Sequence, residues 1–217
     1  MRGLTLAELL LSLALLAVAA ALLVPPVTRA RRADNERGAS ASLKTITTAE
    51  ADFRSNDRDG NGVNDFWTAD VYALYGLVPQ PDAPAIRLIE RDVALADGLP
   101  LTHLYSHLQA SRRGPRRGYI YRAFASEDSG DGATSLRNDT DGPGLYGACH
   151  DRGRFAFMAA PEALSTGRLL FIVNADNSIR KYNLPSTYRG IGGTGHPLLN
   201  DAATYPASPG AIGCSHC

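Results

Sequence analysis

The segment from Gly3 to Val24, G-L-T-L-A-E-L-L-L-S-L-A-L-L-A-V-A-A-A-L-L-V, constrains this chain more than any other. It is apolar, long enough for a helix, and carries a single carboxylate, Glu8, near its start. Leu9 to Val24 supplies roughly sixteen largely apolar residues, short of the about twenty that span a bilayer. Counting from Leu4 makes up the difference and places Glu8 inside the inserted helix. A carboxylate there costs about 2.5 to 3.5 kcal/mol on insertion scales, so it calls for a partner and a purpose. An ordinary secretory signal would end in a small-x-small cleavage site. Ala17-Val18-Ala19 has that form but lies within the apolar run, which Pro25-Pro26 interrupts only later. Neither a secretory signal nor a plain anchor accounts for Glu8.

The short basic leader Met1-Arg2, then Gly3, then Leu4-Thr5-Leu6-Ala7-Glu8-Leu9 and the apolar run resemble the class III signal of type IV pilins and type II secretion pseudopilins. The resemblance implies cleavage by a prepilin peptidase between Gly3 and Leu4, methylation of the new terminus at Leu4, and pairing of Glu8 with the freed amine of a neighbour's Leu4. The family usually has Phe where this chain has Leu4, and Ile or Val where it has Ala7. The implied partners are homologous pilin or pseudopilin subunits, the peptidase, the membrane and an inner-membrane assembly platform. The implied location is single-pass in a bacterial cytoplasmic membrane with the C-terminal domain outside the cytoplasm, then a periplasmic or cell-surface filament. Arg29, Arg31 and Arg32 would then lie outside, with only Arg2 and the initial amine inside, a poor fit to the positive-inside rule.

With 22 basic and 22 acidic residues the chain has no net charge, so no global field points at nucleic acid. The roughly 190 residues after the apolar run suffice for one domain with a real core. From Val27 a helical stripe continues through Leu43, Ile46, Ala49 and Phe53, which predicts one spine helix bent near Pro25 and Pro26. Ser55 to Gly62 stops it with turn formers. Phe66 to Leu77, Ala85 to Asp97 and Leu99 to Ala110 read as short helices. Strand patterns come later, at Gly118–Phe124, Arg154–Ala160, Leu169–Val173 and Ser178–Leu184, with a hairpin turn at Asn174–Asn177. From Pro185 onward the composition is that of loop.

Asp57-Arg-Asp59-Gly-Asn61-Gly62-Val63-Asn-Asp65 matches the D-x-D-x-[DN]-G part of a calcium loop. Alternate side chains of a tight loop converge on one point, Gly62 permits the turn, and the Val63 carbonyl adds an oxygen. Thr68 stands where an EF-hand has its bidentate Glu. Calcium is therefore the one cofactor expected, with Asp57, Asp59, Asn61, Val63 and Asp65 as ligands; the plain reading is a polar loop that ends the helix. Asp139-Thr-Asp141-Gly142 and Glu127 to Asp131 read as solvated acidic loops.

Three cysteines allow at most one internal disulfide. Cys149 to Cys214 or Cys217 would resemble the C-terminal disulfide loop of many pilins; a local Cys214–Cys217 bond competes, and Cys149-His150 with Cys214-Ser-His216-Cys217 has the ligand types for zinc. Haem attachment would need His directly after Cys217 and is rejected. The basic stretch Ser111 to Gly118 lacks the interleaved aromatics of a nucleic-acid site. His103 and His107 have no H-E-x-x-H context, Ile191 to His196 lacks a P-loop lysine, and no G-x-S-x-G is present, so no enzyme is expected.

The expectation is thus an α+β, pilin-like chain: leader 1–3, membrane and assembly half of the spine 4–26, exposed half 27–56, an insert of loops and short helices 57–117, a four-stranded antiparallel sheet 118–184, and a C-terminal loop region 185–217. Its expected role is that of a filament subunit. The alternative is a membrane-tethered exoplasmic binding module or enzyme that uses the signal for export only.

Overall fold

The computed structural model describes residues 5–79, 82–101, 114–128, 133–140, 148–188, 190 and 204–206. It opens with α1, Leu6–Ser55, a helix of 50 residues and so about 75 Å long at 1.5 Å per residue. Thr5 caps its start. The helix runs unbroken through Pro25 and Pro26, although proline removes backbone donors there. It ends at Asn56, and the chain then turns at Asp57, Gly60 and Gly62, all with positive φ.

The two halves of α1 meet different surroundings. Leu6, Leu10, Leu11, Leu15, Leu16 and Val18 are exposed. In the second half Ala39, Leu43, Ile46, Ala49 and Phe53 are buried at helical spacing, while Ala41, Lys44, Thr45 and Thr48 face outward. Full burial of side chains such as Leu43, Ile46 and Phe53 stabilises by about 1.5 to 3 kcal/mol each.

After α1 come β1 (Phe66–Trp67), α2 (Ala73–Gly76), α3 (Arg91–Ala94), β2 (Tyr119–Ala123), β3 (Ser126–Asp128), β4 (Ala133–Ser135), β5 (Asp139–Thr140), β6 (Ala148–Asp151), β7 (Ala156–Pro161), β8 (Leu169–Asn174), β9 (Ile179–Asn183) and β10 (Thr204–Pro206). The main sheet is antiparallel throughout in the order β2-β7-β8-β9, with Tyr121 opposite Ala159 and Phe157 opposite Val173. An N-terminal helix and a late four-stranded antiparallel sheet make the fold α+β, and the four expected strands are the four observed.

One face of the sheet, carrying Tyr119, Tyr121, Phe157, Ala159, Phe171 and Val173, joins the core under α1. The other carries Ala156, Met158, Ala160, Leu170 and Ile172 into a second core with Phe124, Leu136 and Tyr188, whose hydroxyl donates to the Pro161 carbonyl. Burial on both faces explains why β7 and β8 read as continuous apolar runs. Asn177, at φ 56°, makes the β8–β9 turn. Two small sheets complete the described part: β1-β6-β5, antiparallel, and β10-β3-β4, in which β10 runs parallel to β3 within a region expected to be loop.

The insert differs from its expected helices. Phe66–Leu77 starts as strand, because Phe66 and Trp67 pair with Asp151 and His150, and is α-helical only over α2. Ala85–Asp97 is α-helical only over α3, and Leu99–Ala110 lies outside the described residues beyond Leu101. Tertiary hydrogen bonds take the place of helical ones. The Asp97 carboxylate accepts from Val71 N (2.7 Å), Tyr72 N (2.9 Å) and Leu99 N (2.8 Å). Asp70 accepts from Trp67 Nε1 (3.1 Å), Ala73 N (3.0 Å) and Leu101 N (2.7 Å).

The β7–β8 connection grips α1 just beyond its apolar half. Arg32 Nε donates to Ser165 O (3.1 Å), Asn35 Nδ2 donates to Thr166 O (2.9 Å), and Arg168 N donates to Glu36 Oε1 (2.9 Å). Gly118, at φ 72°, lies so close to Thr166 that an added Cβ would stand 2.6 Å from the threonine Cβ.

Candidate assembly helix and candidate metal centre

At the start of α1, Thr5 and Glu8 form a reciprocal capping box. Glu8 Oε2 accepts from Thr5 N (2.9 Å) and from the Thr5 hydroxyl (2.9 Å), and Glu8 N donates to Thr5 Oγ1 (3.3 Å). The carboxylate that looked unexplained within the apolar run thus closes the orphan donors of its own helix end. Gly3 and Leu4 lie outside the described residues, as does the side chain of Pro25, whose backbone is helical. α1 is long and apolar enough to cross a membrane, and its apolar window is unburied.

The expected calcium loop divides its residues between two tasks. Asp57 accepts from Asn61 N (3.1 Å) through Oδ1 and from Gly62 N (3.0 Å) through Oδ2. Asn61 Oδ1 accepts from Val63 N (2.7 Å), and Asn61 Nδ2 donates to Asp59 Oδ2 (2.9 Å). Asp57 and Asn61 therefore shape the turn, with Val63 half-buried beside them. Arg58 folds back onto Asp52, 2.9 Å away.

Asp59 and Asp65 point inward and are buried. There they meet His150 of β6, fully buried, with Nε2 3.3 Å from Asp59 Oδ2 and Nδ1 3.9 Å from Asp65 Oδ2. One donor atom from each of the three residues lies within 4.8 Å of the others. Trp67 stands edge-on to the imidazole at a centroid distance of 5.1 Å, and Phe53 lies 6.2 Å away. Thr68, at the EF-hand glutamate position, donates its hydroxyl toward Leu136 O and Cys149 O and so belongs to the small-sheet framework.

Glu50 of α1 adjoins this group. Its Oε2 accepts from Trp67 N (3.0 Å), while Oε1 has no hydrogen-bond partner among the described residues. Burial raises its pKa well above the ordinary carboxylate range, and among nearby charges Asp65 and then Asp70 add to the rise. Burial likewise pushes Asp97 up to about 7; Asp70 contributes, and the three N–H donors oppose.

Sequence reading anticipated Asp59 and Asp65 at one point. It placed His150 only among zinc ligands with the cysteines, and it missed Glu50, Asp70 and Asp97. Apolar neighbours at helical spacing marked the α1 face that carries Glu50 as core, but no local pattern marks a polar residue on such a face as useful. Cys149 is buried on β6, and its expected partners Cys214 and Cys217 lie outside the described residues. So do His103, His107 and Ile191 to His196. Within the basic stretch, Arg116 pairs with Glu90 and the Ser42 hydroxyl, and Arg117 lies 3.5 Å from Asp34.

No protein-family model, curated protein or solved structure matches the chain.

Proposed function

We propose that this chain is a structural subunit of a type IV pilus-like filament or type II secretion pseudopilus. It would be trimmed by a prepilin peptidase between Gly3 and Leu4, methylated at Leu4 and assembled through α1. In this reading the C-terminal domain lies outside the cytoplasm, and the protein has no enzymatic role. The observation that carries it is a single helix in two halves: the first exposed and apolar with one carboxylate, Glu8, the second packed on an antiparallel sheet. A tether alone would not need a helix continuing without interruption into the domain.

The capping box suggests how Glu8 crosses between states. In a lone subunit Thr5 N–H and hydroxyl satisfy the carboxylate, which limits its cost in lipid. In a filament the charged amine of a neighbour's Leu4 replaces or joins these neutral donors. A charge-assisted bond is roughly twice as strong as a neutral one, and this one would set the register of adjacent helices. Apolar packing of the exposed leucines then supplies cohesion.

Mass spectrometry of the mature N-terminus is the direct test. A methylated Leu4 is expected, and an intact Met1 or cleavage well downstream of Gly3 overturns the reading. With Glu8→Ala the subunit should be processed and membrane-inserted yet absent from sheared filaments. Normal filament yield from that variant would remove the pairing. A wild-type chain that stays with membranes after shearing would favour the tethered-module alternative.

A further inference from the structure

We propose that Asp59, Asp65 and His150 form a binding site for a transition-metal dication of the Mn2+ to Zn2+ series, a role that does not depend on filament assembly. The three side chains come from separated parts of the chain, two from the turn after α1 and one from β6, and all are buried. The 3.3 Å between Asp59 Oδ2 and His150 Nε2, an ion-pair distance without a metal, also fits two ligands on one ion, since metal bonds of about 2.0 to 2.2 Å set neighbouring donors about 3 Å apart. Asp65 Oδ2 lies 3.9 Å from Nδ1, the ring's other nitrogen, and an ion would use only one of the two nitrogens. One donor atom from each residue lies within 4.8 Å of the others, and side-chain movements of about 1 Å bring them to the roughly 3 to 4 Å that separates ligands on one ion.

The donor set decides the class of ion. Calcium takes six to eight oxygen ligands and has little use for imidazole nitrogen. Here Asp57 and Asn61, two of the oxygen donors expected for calcium, are only half-buried in the turn, whereas Asp59 and Asp65 are buried beside the imidazole. What remains pointing inward is two carboxylates and an imidazole, a mixed nitrogen and oxygen set that suits Mn2+, Co2+ or Zn2+.

Glu50 is a second, independent indication. It is fully buried, and its Oε1 lacks a hydrogen-bond partner among the described residues. Three carboxylates gathered in a dry interior raise one another's energy, and a dication among them removes that repulsion. Asn61, donating to Asp59 Oδ2, orients one ligand from outside, as partners of metal ligands commonly do. The bound ion would pin the turn after the spine helix to β6 of the small sheet.

The test uses the full chain in detergent, stripped with EDTA and then titrated separately with Zn2+, Co2+ and Ca2+. The expected result is one equivalent of Zn2+ bound, a rise of several degrees in the unfolding midpoint, and quenching of Trp67 emission by Co2+, because that indole lies 5.1 Å from His150. Asp59→Asn and His150→Gln should each weaken Zn2+ binding at least tenfold. A Cys214→Ser, Cys217→Ser double variant should bind as wild type, which separates this site from the C-terminal cysteines. If His150→Gln fails to fold, Asp59→Asn and Co2+ quenching in the wild type decide. The proposal is overturned if no dication binds, if Ca2+ binds in preference to Zn2+, or if binding is lost in the cysteine variant and kept in Asp59→Asn.

Discussion

Asp97 should make the stability of this protein fall as pH rises through neutrality. Its carboxyl titrates near 7 in the folded state against a reference of 3.8, because burial and Asp70 both disfavour the charge. The folded state therefore binds more protons than the unfolded chain between those values. The contribution is complete below the unfolded pKa and is lost as pH rises through the folded one. At about 1.4 kcal/mol per unit, the loss by pH 8 is on the order of 4 kcal/mol. Asp97→Asn isolates the effect. The amide oxygen can still accept from Val71 and Tyr72, but the amide nitrogen then faces the Leu99 N–H, donor against donor. That costs about 1 to 3 kcal/mol at every pH. The assay is urea unfolding at pH 5, 6, 7 and 8, followed by the one tryptophan of the chain, Trp67, whose Nε1 donates to Asp70. The margin of wild type over the variant should be most positive at pH 5, fall by about 2 to 3 kcal/mol by pH 8 and be negative there, because the pH-linked loss exceeds the fixed cost of the amide. A margin that is constant, or widens with pH, would refute the reasoning.

Phe53→Ala should cost about 3 to 5 kcal/mol, since the ring is buried and lies 6.2 Å from both Trp67 and His150; a loss under about 1 kcal/mol in denaturant melts would mean that the second half of α1 is not held as described. Gly118→Ala should destabilise by about 1 to 3 kcal/mol, from the positive φ together with the clash on Thr166, and a neutral result by thermal melting would contradict that close approach.

The four strands of the main sheet were legible because each carries its own apolar pattern: Leu169–Val173 reads as buried without knowledge of any partner. The spine was legible for the same reason, through Leu43, Ile46, Ala49 and Phe53. The insert was not. Phe66 and Trp67 are apolar enough for either element, and only pairing with Asp151 and His150, far along the chain, makes them strand. β5 and β6 have little apolar signature, and β10 lies in a Gly- and Pro-rich stretch and pairs with β3 across a long separation. The candidate metal centre was half legible, because spacing brings Asp59 and Asp65 together, whereas the nitrogen donor comes from tertiary structure.

The grip of the β7–β8 connection on Arg32, Asn35 and Glu36 has a mechanical consequence. A pull on the apolar end of α1 reaches the domain first at these three bonds, which sit at the boundary between free rod and packed rod. Load then passes into β7 and β8, the two inner strands of the main sheet, each bonded on both edges. Arg117, 3.5 Å from Asp34, ties the end of the insert to the same stretch of α1. A helix anchored in this way can be dragged lengthwise with its domain riding behind it, and the turn carrying Asp59 and Asp65, at the far end of the packed segment, is sheltered from the strain.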